Sequence, residues 1–315
     1  MSNLKFNFNF NVSEPIKKNN LSIFFLNSKT QSSETFLTLD EALANNLVEV
    51  TEVNNKGTVR YLKVSNKSKK KLLILGSEQI VGNALKQNRV VNNSTLIPGH
   101  SSILLSVSCC EKNRWSPAVA NKISISEFLF FPKGRINNYT EIFKNNKTDQ
   151  FKIWDDISDK LDEFNSKSFT GSLEDVYKRK KYYFDETIGG IKINSNIVGV
   201  AIAIGNRVVS IEIFNSNQLL KNYFPKILRS IAFDSYRKNT YNNFLSSKHV
   251  YKLFRLIEFS EKKLHIPQLD CLGEEIRFNS DRVVGSCLNF NDKILHFSGF
   301  LKDDTKIPLF KSKVA

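Results

Sequence analysis

The sequence predicts an α+β protein in which a strand-rich N-terminal half, β-sandwich-like or barrel-like, is followed by an α+β C-terminal half. Short apolar segments bounded by turn residues fill residues 1–145, and apolar patterns of helical period begin at Ile153. We therefore place a strand-rich domain at 1–145 and an α+β domain at 146–315, which either stands alone or packs with the first as one unit. The polar segment 133–150 is the candidate linker.

Residue periodicity predicts the elements of the N-terminal half. Residues 4–12 alternate apolar residues with Lys and Asn, which is typical of a strand with one buried face. Thr38 and Glu41 have the spacing of a capping box, so a short helix should begin there and end at Asn45 and Asn46. Further strands are predicted at 21–26, 48–53, 58–64, 71–75, 95–98 and 103–111.

The C-terminal half mixes helical and strand patterns. A helix is predicted from Ile153 onward, and Ser172 is a suitable N-cap for another helix over 172–184. Gly205 and Asn206 form a two-residue turn between strand patterns at 197–204 and 208–214. The remaining elements are a helix over 217–237 that Pro225 is expected to kink or divide, a helix over 249–259, and strands at 275–278, 282–290 and 294–300.

The composition is that of a globular protein with an excess of positive charge. Hydrophobic residues make up 41% of the chain and charged residues 24%, which argues against disorder. The formal net charge of +15 favours an anionic partner such as nucleic acid, a nucleotide or phosphate. A solvated basic surface is the alternative, because the lysines accompany many Asn, Ile and Phe residues, as an AT-rich coding sequence would produce.

Neither a signal peptide nor a membrane span is predicted. The N-terminus alternates instead of forming an apolar core, and the longest apolar runs are far shorter than the ~20 residues of a spanning helix. The four cysteines form no C-x-x-C pair, and no histidine has metal-ligand spacing from them. We predict a cytoplasmic protein with reduced cysteines, no membrane contact, no metal and no cofactor.

The stretch from Leu72 to Trp115 combines core-forming strands with side chains that are costly to bury. The polar members of this stretch are Glu78, Gln87, Asn88, Arg89, Asn92, Asn93, Glu111 and Arg114. Such a set is either a paired internal network or the lining of a pocket, and the sequence favours neither.

Strand alternation suggests roles for these residues. It places Cys109 and Glu111 on one face of the strand at 103–111, with Arg89 and Arg114 as the expected partners of Glu111. In the functional interpretation Glu78 and Glu111 are catalytic, as acid, base or hydroxyl-binding groups. The predicted ligand-binding residues are Gln87, Arg89, Asn92, Arg114 and Trp115. In the structural interpretation the same residues fix a sheet edge, and Trp115 packs instead of stacking on a base.

Three further features each have a structural and a functional interpretation. Cys109 is interpreted as a buried strand cysteine, because a nucleophilic role would require nearby cations to lower its pKa. His296 lies in a strand pattern and is interpreted as a core residue, with a functional role as the alternative. The basic segment Lys178, Arg179, Lys180 and Lys181 suits either a helix C-terminus or contact with nucleic acid.

The chain resembles the domain family named for its association with ADP-ribosylglycohydrolases and rhodanese-phosphatase-type proteins. The resemblance rests on segments at 36–43, 48–66, 78–92, 107–115, 150–157, 188–214 and 293–300. By similarity Glu78, Gln87, Arg89, Cys109, Glu111, Arg114 and Trp115 fall on the family's recurring pattern. Two positions depart from it, because Ser77 stands where Gly precedes the acid and Asn113 stands where Gly precedes the Arg-Trp pair.

Two functions follow from these observations. The resemblance implies a role near ADP-ribose or NAD-derived metabolites, so the first is a protein that binds, with or without processing, such a nucleotide-like anion. The second is a nucleic-acid-binding or interaction protein that uses its basic surface and has no catalytic activity. The sequence leaves open whether the protein is an enzyme.

Overall fold

The protein folds into the mixture of strands and helices that the sequence predicts. A computed structural model describes residue 6 and residues 8–54, 56–82, 84–115, 123–236, 245–265 and 270–302. The strands are β1 (Asn11–Val12), β2 (Ile16–Lys18), β3 (Leu21–Asn27), β4 (Leu37–Thr38), β5 (Val48–Glu52), β6 (Tyr61–Asn66), β7 (Leu72–Ile74), β8 (Gln79–Val81), β9 (Arg89–Val91), β10 (Thr95–Ile97), β11 (Ser101–Cys109), β12 (Ser124–Ile125), β13 (Ile197–Ile204), β14 (Arg207–Phe214), β15 (Glu261–His265), β16 (Glu274–Asn279), β17 (Val283–Phe290) and β18 (Lys293–Leu301). The helices are α1 (Leu39–Ala44), α2 (Pro132–Asn145), α3 (Gln150–Glu163), α4 (Leu173–Arg179), α5 (Lys181–Ile188), α6 (Asn217–Ser235) and α7 (Ser247–Glu258). The predicted α+β class and the strand-rich N-terminal half are confirmed.

A nine-stranded sheet is the largest element of the fold. Its order is β1-β3-β13-β14-β18-β17-β16-β15, and β2 also pairs with β3. Helix α6 packs on one face and α7 on the other, which explains why every residue of β13 is buried. The predicted turn at Gly205 and Asn206 joins β13 to β14, and Gly205 supplies the positive φ of 60° that this turn uses.

Two smaller sheets contain the remaining described strands of the N-terminal half, β4 to β12. One has the order β12-β8-β9-β11-β6-β5 and the other β10-β7-β4, and their apolar side chains share a core with α1. The predicted capping box of α1 is confirmed. The Thr38 hydroxyl accepts from the Glu41 N–H at 3.3 Å, and the Glu41 carboxylate accepts from the Thr38 N–H at 3.0 Å.

The segment 133–150 is not a linker, because most of it forms α2 and the start of α3. Pro132 stands in the first turn of α2, where its missing N–H removes no helical hydrogen bond. Tyr139, Ile142 and Phe143 bury one face of this helix. They are few among polar neighbours, so the helical period is weak in the sequence.

The extents of two other predicted helices differ from the structure. The helix predicted over 172–184 is interrupted at Lys180, which separates α4 from α5. Helix α6 continues through Pro225, so the expected division does not occur. Tyr223 and Ile227 on either side are buried in the core, and this packing offsets the hydrogen bond that proline cannot donate.

The N-terminal segment has less strand than its alternation predicts. In the described part of residues 4–12 only Asn11–Val12 pairs as a strand, and residues 4, 5 and 7 lie outside the described residues. Phe6, Phe8 and Phe10 nevertheless pack against the core beneath α7. The predicted buried face is therefore present without regular strand pairing along most of its length.

The nine-stranded sheet takes strands from both predicted domains. Strand β3 lies between β1 and β13, so residues 21–27 pair with residues 197–204. The smaller sheets also contact the C-terminal half, where Leu96 forms an isolated β-bridge with Leu272. The division at residue 145 stays a prediction.

Candidate functional site

The predicted site residues occupy three places. Glu78 reaches toward α6, and Asn92 lines a cleft between the six-stranded and nine-stranded sheets, called the inter-sheet cleft below. A third group lies where β9 begins and β11 ends. Its members, called the arginine cluster below, are Gln87, Asn88, Arg89, Glu111 and Arg114.

Arg114 is the centre of the arginine cluster, and its guanidinium nitrogens donate to other groups of the protein. Its guanidinium binds the Glu111 carboxylate with N···O distances of 2.7 and 2.8 Å, as predicted. It also donates to the Leu85 carbonyl at 2.8 Å and to the Asn88 side-chain oxygen at 3.1 Å. Glu111 accepts a further hydrogen bond from the Asn88 N–H at 2.9 Å. These contacts use the groups that a ligand would need.

Arg89 is fully buried, but its hydrogen bonds are long. It contacts the carboxylate of Glu52 and the side-chain oxygen of Gln87 at 3.5 Å each, and the Thr58 carbonyl at 3.4 Å. No described residue provides a hydrogen-bond partner for its Nε. The expected pairing with Glu111 is replaced by one with Glu52, because Arg89 points toward the turn between β5 and β6.

Trp115 borders the arginine cluster and is half exposed. Its ring lies 5.2 Å from the Lys86 ammonium and 6.0 Å from the Arg89 guanidinium, within the range of cation–π contact. The predicted role in stacking on a base stays a prediction.

Glu78 is completely buried and pairs with a lysine that the sequence analysis did not select. Its Oε1 lies 3.1 Å from the Lys226 ammonium, and its Oε2 accepts from the Leu75 N–H at 2.9 Å. Lys226 also binds Asp40. Burial raises the pKa of Glu78, while Lys226 opposes that rise. A signal was available, because Lys226 lies three residues after Tyr223 on the apolar face of α6.

Cys109 is a buried strand cysteine, as the structural interpretation holds. Its N–H donates to the Gln150 side-chain oxygen at 2.8 Å, and its Sγ lies 3.3 Å from the Glu111 carbonyl. Burial raises the pKa of the Cys109 thiol, so the nearby Arg89 does not make it a thiolate at neutral pH.

The inter-sheet cleft has a volume of about 420 Å³. Its walls come from β11, the segment between β9 and β10, the end of α2, and strands β15 to β17. Arg60, Lys147 and Arg277 contribute positive charge, and among the described lining residues Glu275 is the sole carboxylate. The balance of charge favours an anion in this cleft.

Asn92 is the one predicted ligand-binding residue that lines this cleft. Its side-chain nitrogen donates to the Ser106 hydroxyl at 3.0 Å, and its oxygen accepts from the Ser108 hydroxyl at 2.9 Å. Those two contacts fix the orientation of the amide at the wall of the cleft.

Glu275 and Arg277 form a buried ion pair in the opposite wall. Two guanidinium nitrogens of Arg277 lie 2.8 and 2.9 Å from Oε2 of Glu275. Oε1 of Glu275 is buried and has no hydrogen-bond partner in the part of the chain that the structure describes. Burial raises the pKa of Glu275 although Arg277 opposes it. Burial and Arg277 also lower the pKa of His265 at the same wall.

The spacing of Glu275 and Arg277 in the sequence is a signal for this pair. Glu275 and Arg277 are two apart in a predicted strand, so they share one face. Their burial depends on contacts of β16 with α2, which lies far away in the sequence.

The basic segment 178–181 is exposed and partly engaged. Lys178 and Lys180 are exposed, and Arg179 donates to the Ser166 hydroxyl at 3.0 Å. Lys181 binds Glu127 at 3.1 Å, so one of the four charges is partly neutralised. The favourable placement of cations at a helix end is seen for Lys178 and Arg179 in α4.

Sequence comparison assigns the whole folded region to one family. The family model for the ARPP-1 domain, the ARG and Rhodanese-Phosphatase-superfamily-associated Protein domain, matches residues 9–300. The chain belongs to the ARPP-1 family. Neither a curated protein nor a solved structure shows significant similarity to it. The resemblance inferred from sequence motifs is confirmed, and the name of the ARPP-1 family records an association and no reaction.

One departure of this ARPP-1 chain from the family pattern has a structural basis. Ser77 has a φ of 84°, in the region that favours glycine, and it stands where the resemblance places Gly. Its N–H donates to the Val91 carbonyl at 2.7 Å, and its carbonyl accepts from the Phe130 N–H at 2.8 Å. These bonds hold the turn that directs Glu78 into the core.

Two absences apply to the described part of this ARPP-1 protein. No helix there is long and apolar enough to cross a membrane. In the same residues no group of three or more His, Cys, Asp and Glu side chains is arranged to hold a metal ion. The absence of a cofactor stays a prediction.

Proposed function

We propose that this ARPP-1 protein binds an ADP-ribose-like or other nucleotide-derived anion in the inter-sheet cleft. One observation carries the proposal. A cleft of about 420 Å³ combines an excess of cations with a buried carboxylate oxygen that has no partner among the described residues. Sites for small molecules typically have volumes of about 300–1,000 Å³ and a few fixed polar groups. The association recorded in the family name supports a ligand of the ADP-ribose class.

The lining residues suit separate parts of such a ligand. The exposed side chains of Arg60 and Lys147 and the buried guanidinium of Arg277 would bind the phosphates. The unpaired Oε1 of Glu275 would accept a hydrogen bond from a ribose hydroxyl, and Asn92 would bind a second polar group.

Catalytic roles for Glu78 and Glu111 stay predictions, because both carboxylates are occupied by partners outside this cleft.

A thermal-shift titration tests this function. We expect ADP-ribose, NAD or ADP to raise the unfolding temperature, because a ligand that binds only the folded state stabilises it by about 2.7 kcal/mol at a hundredfold excess over Kd. Lys147→Ala should weaken binding by about tenfold, since one charged contact to phosphate is lost. The matched variant Lys178→Ala removes an exposed lysine away from the cleft and should leave Kd unchanged.

Two results would count against this function. Unchanged unfolding temperatures with every nucleotide, in buffer of low ionic strength, would contradict the proposal. Equal Kd values for the wild type and Lys147→Ala would show that the ligand binds outside the inter-sheet cleft.

A second candidate function is binding of single-stranded nucleic acid through the segment 178–181. The supporting observation is Tyr182, which is 83% exposed directly after exposed cations, so a base has a ring on which to stack. Binding of a fluorescent oligonucleotide should then weaken steeply with salt, and neutralising the four basic residues should abolish it. Binding that ignores salt would rule this function out.

A further inference from the structure

A chain of buried hydrogen bonds begins at the inter-sheet cleft and runs into the nine-stranded sheet. Ser94 belongs to the cleft wall and is 5% exposed, and its hydroxyl lies 2.9 Å from Nδ1 of His296. Nε2 of His296 lies 3.0 Å from Oε2 of Glu212, whose Oε1 binds Arg135 at 2.7 Å. The order is hydroxyl, imidazole, carboxylate, and this is the order in which proteins activate a serine.

The charge of Glu212 fixes the direction of these hydrogen bonds. Burial alone would raise the pKa of Glu212, but Arg135 and His296 lower it below its usual value, so Glu212 is a carboxylate at neutral pH. A carboxylate only accepts hydrogen bonds, so Nε2 of His296 must carry the proton. In the neutral form of the ring Nδ1 is then the acceptor, and the Ser94 hydroxyl donates to it.

The surroundings of Ser94 leave its oxygen able to react. The Gly76 N–H donates to the Ser94 hydroxyl at 3.0 Å, which uses one of its two lone pairs. The second lone pair is unused by any hydrogen bond between described residues. Ser94 is therefore oriented by one donor and one acceptor while it forms part of the cleft wall.

The arrangement exceeds what a structural role requires. Burying Glu212 and Arg135 costs free energy that their attraction only partly recovers, and an apolar set of the same volume would hold the sheet as well. In the core the chain ends on Ser298, whose hydroxyl donates to Oε1 of Glu212 at 3.1 Å and accepts from Arg135 at 2.7 Å. At its other end is Ser94, a residue of the cleft wall.

We propose that Ser94 is a nucleophile that removes acyl groups esterified to hydroxyls of the anion bound in the inter-sheet cleft. The proposal rests on the proposed function for the location of the ligand. An ester is the acyl derivative that a ribose-containing ligand carries on its hydroxyls. His296 acts as general base and acid, and Glu212 and Arg135 are positioning residues.

The reaction balances without any further reagent except water. The Ser94 oxygen forms a bond to the ester carbonyl carbon while its proton moves to Nδ1 of His296. The bond from that carbon to the ligand oxygen breaks, and the oxygen takes the proton from Nδ1, which releases the deacylated ligand. Water then attacks the acyl-Ser94 ester with His296 again as base, which frees the carboxylic acid and restores the hydroxyl.

Covalent labelling of the full-length protein with a fluorophosphonate tests the nucleophile. The reagent forms a bond from phosphorus to a reactive serine oxygen and loses fluoride, so a labelled peptide identifies the residue by mass. We expect one label, on Ser94, that excess ADP-ribose slows. His296→Gln should label about 100-fold more slowly or worse, because the general base is lost. Ser230→Ala, which removes a buried hydroxyl of α6 that donates to the Ile227 carbonyl, should label at the wild-type rate.

Labelling of the wild type needs no variant to fold, so a wild-type protein with no label on Ser94 overturns the proposal. Equal labelling rates for the wild type and a folded His296→Gln overturn it as well. A thermal shift with ADP-ribose but no label would rule out Ser94 as a nucleophile and would still support the proposed binding. Labelling of Ser94 with no thermal shift for any nucleotide would instead rule out the proposed ligand class.

Discussion

The arginine cluster and the inter-sheet cleft contain similar ion pairs in different situations. Arg114 and Glu111 approach to 2.7 Å, and Arg277 and Glu275 approach to 2.8 Å. Arg114 also donates to the Leu85 carbonyl and the Asn88 side chain. Glu275, beside a cavity, has one buried oxygen to which no described residue donates. The distance between paired charges therefore does not identify a binding site. Arg89 in the arginine cluster also has a buried unpartnered nitrogen, so the inter-sheet cleft is distinguished by its cavity and its excess of cations beside Glu275.

The largest expected effect is the loss of stability in Arg114→Ala. The Glu111 side chain is 6% exposed, and the variant removes the cation that pairs with it. The free energy of unfolding should therefore fall by about 3 kcal/mol. Urea unfolding measures this loss. The thermal shift caused by ADP-ribose, relative to the variant alone, should be unchanged.

The matched control for this variant is Arg179→Ala, an exposed arginine with a hydrogen bond to Ser166. It should unfold close to the wild-type urea midpoint. If Arg114→Ala keeps wild-type stability but loses nucleotide binding, the arginine cluster is the ligand site and the comparison is reversed.

A smaller effect is expected on the pH dependence of stability in Glu275→Gln. The pKa of Glu275 is raised in the folded state, because it is buried, above the value of 4.5 that it has when exposed. The folded protein therefore holds this proton more tightly than the unfolded chain does. As pH rises from about 4.5 through the raised pKa, the wild type should lose stability relative to Glu275→Gln.

Urea midpoints of the wild type and Glu275→Gln, measured below pH 4.5 and again near neutrality, give this difference. The exposed neighbour Glu274 provides the control variant Glu274→Gln, in the same strand. A stability difference for Glu275→Gln that stays constant with pH would mean that Arg277 fully compensates the burial.

The smallest effect is expected for Lys67→Ala. Lys67 and Glu49 approach to 2.9 Å, as closely as the buried pairs, but their side chains are 56% and 54% exposed. Water screens this pair, so the urea midpoint should stay close to that of the wild type. A loss as large as that of Arg114→Ala would show that distance, and not burial, ranks the ion pairs of this protein.

Much of the fold follows from local patterns. The capping box at Thr38 and Glu41 and the hairpin turn at Gly205 are short-range devices, because the residues that fix them are near each other in the chain. The helix α2 was missed for the opposite reason. Its buried face matches surfaces contributed by distant elements, and its composition alone reads as polar.

The site residues divide in the same way. The pairing of Glu111 with Arg114 was predictable because they are three residues apart after a strand. The pairing of Glu78 with Lys226 spans 148 residues, and that of Ser94 with His296 spans 202. No period in the sequence encodes such distances, so the cleft was represented in the prediction by Asn92 alone.

The position of β3 has a consequence for the nascent chain. Its apolar sequence Leu21–Asn27 leaves the ribosome early, yet its neighbour β13 exists only after residue 204 has been added. At ~5–20 residues per second the wait is on the order of 10 s or longer. During that time an apolar edge is available to wrong partners, so slower initiation, lower temperature or a holding chaperone should raise the yield of soluble protein more than any single stabilising substitution.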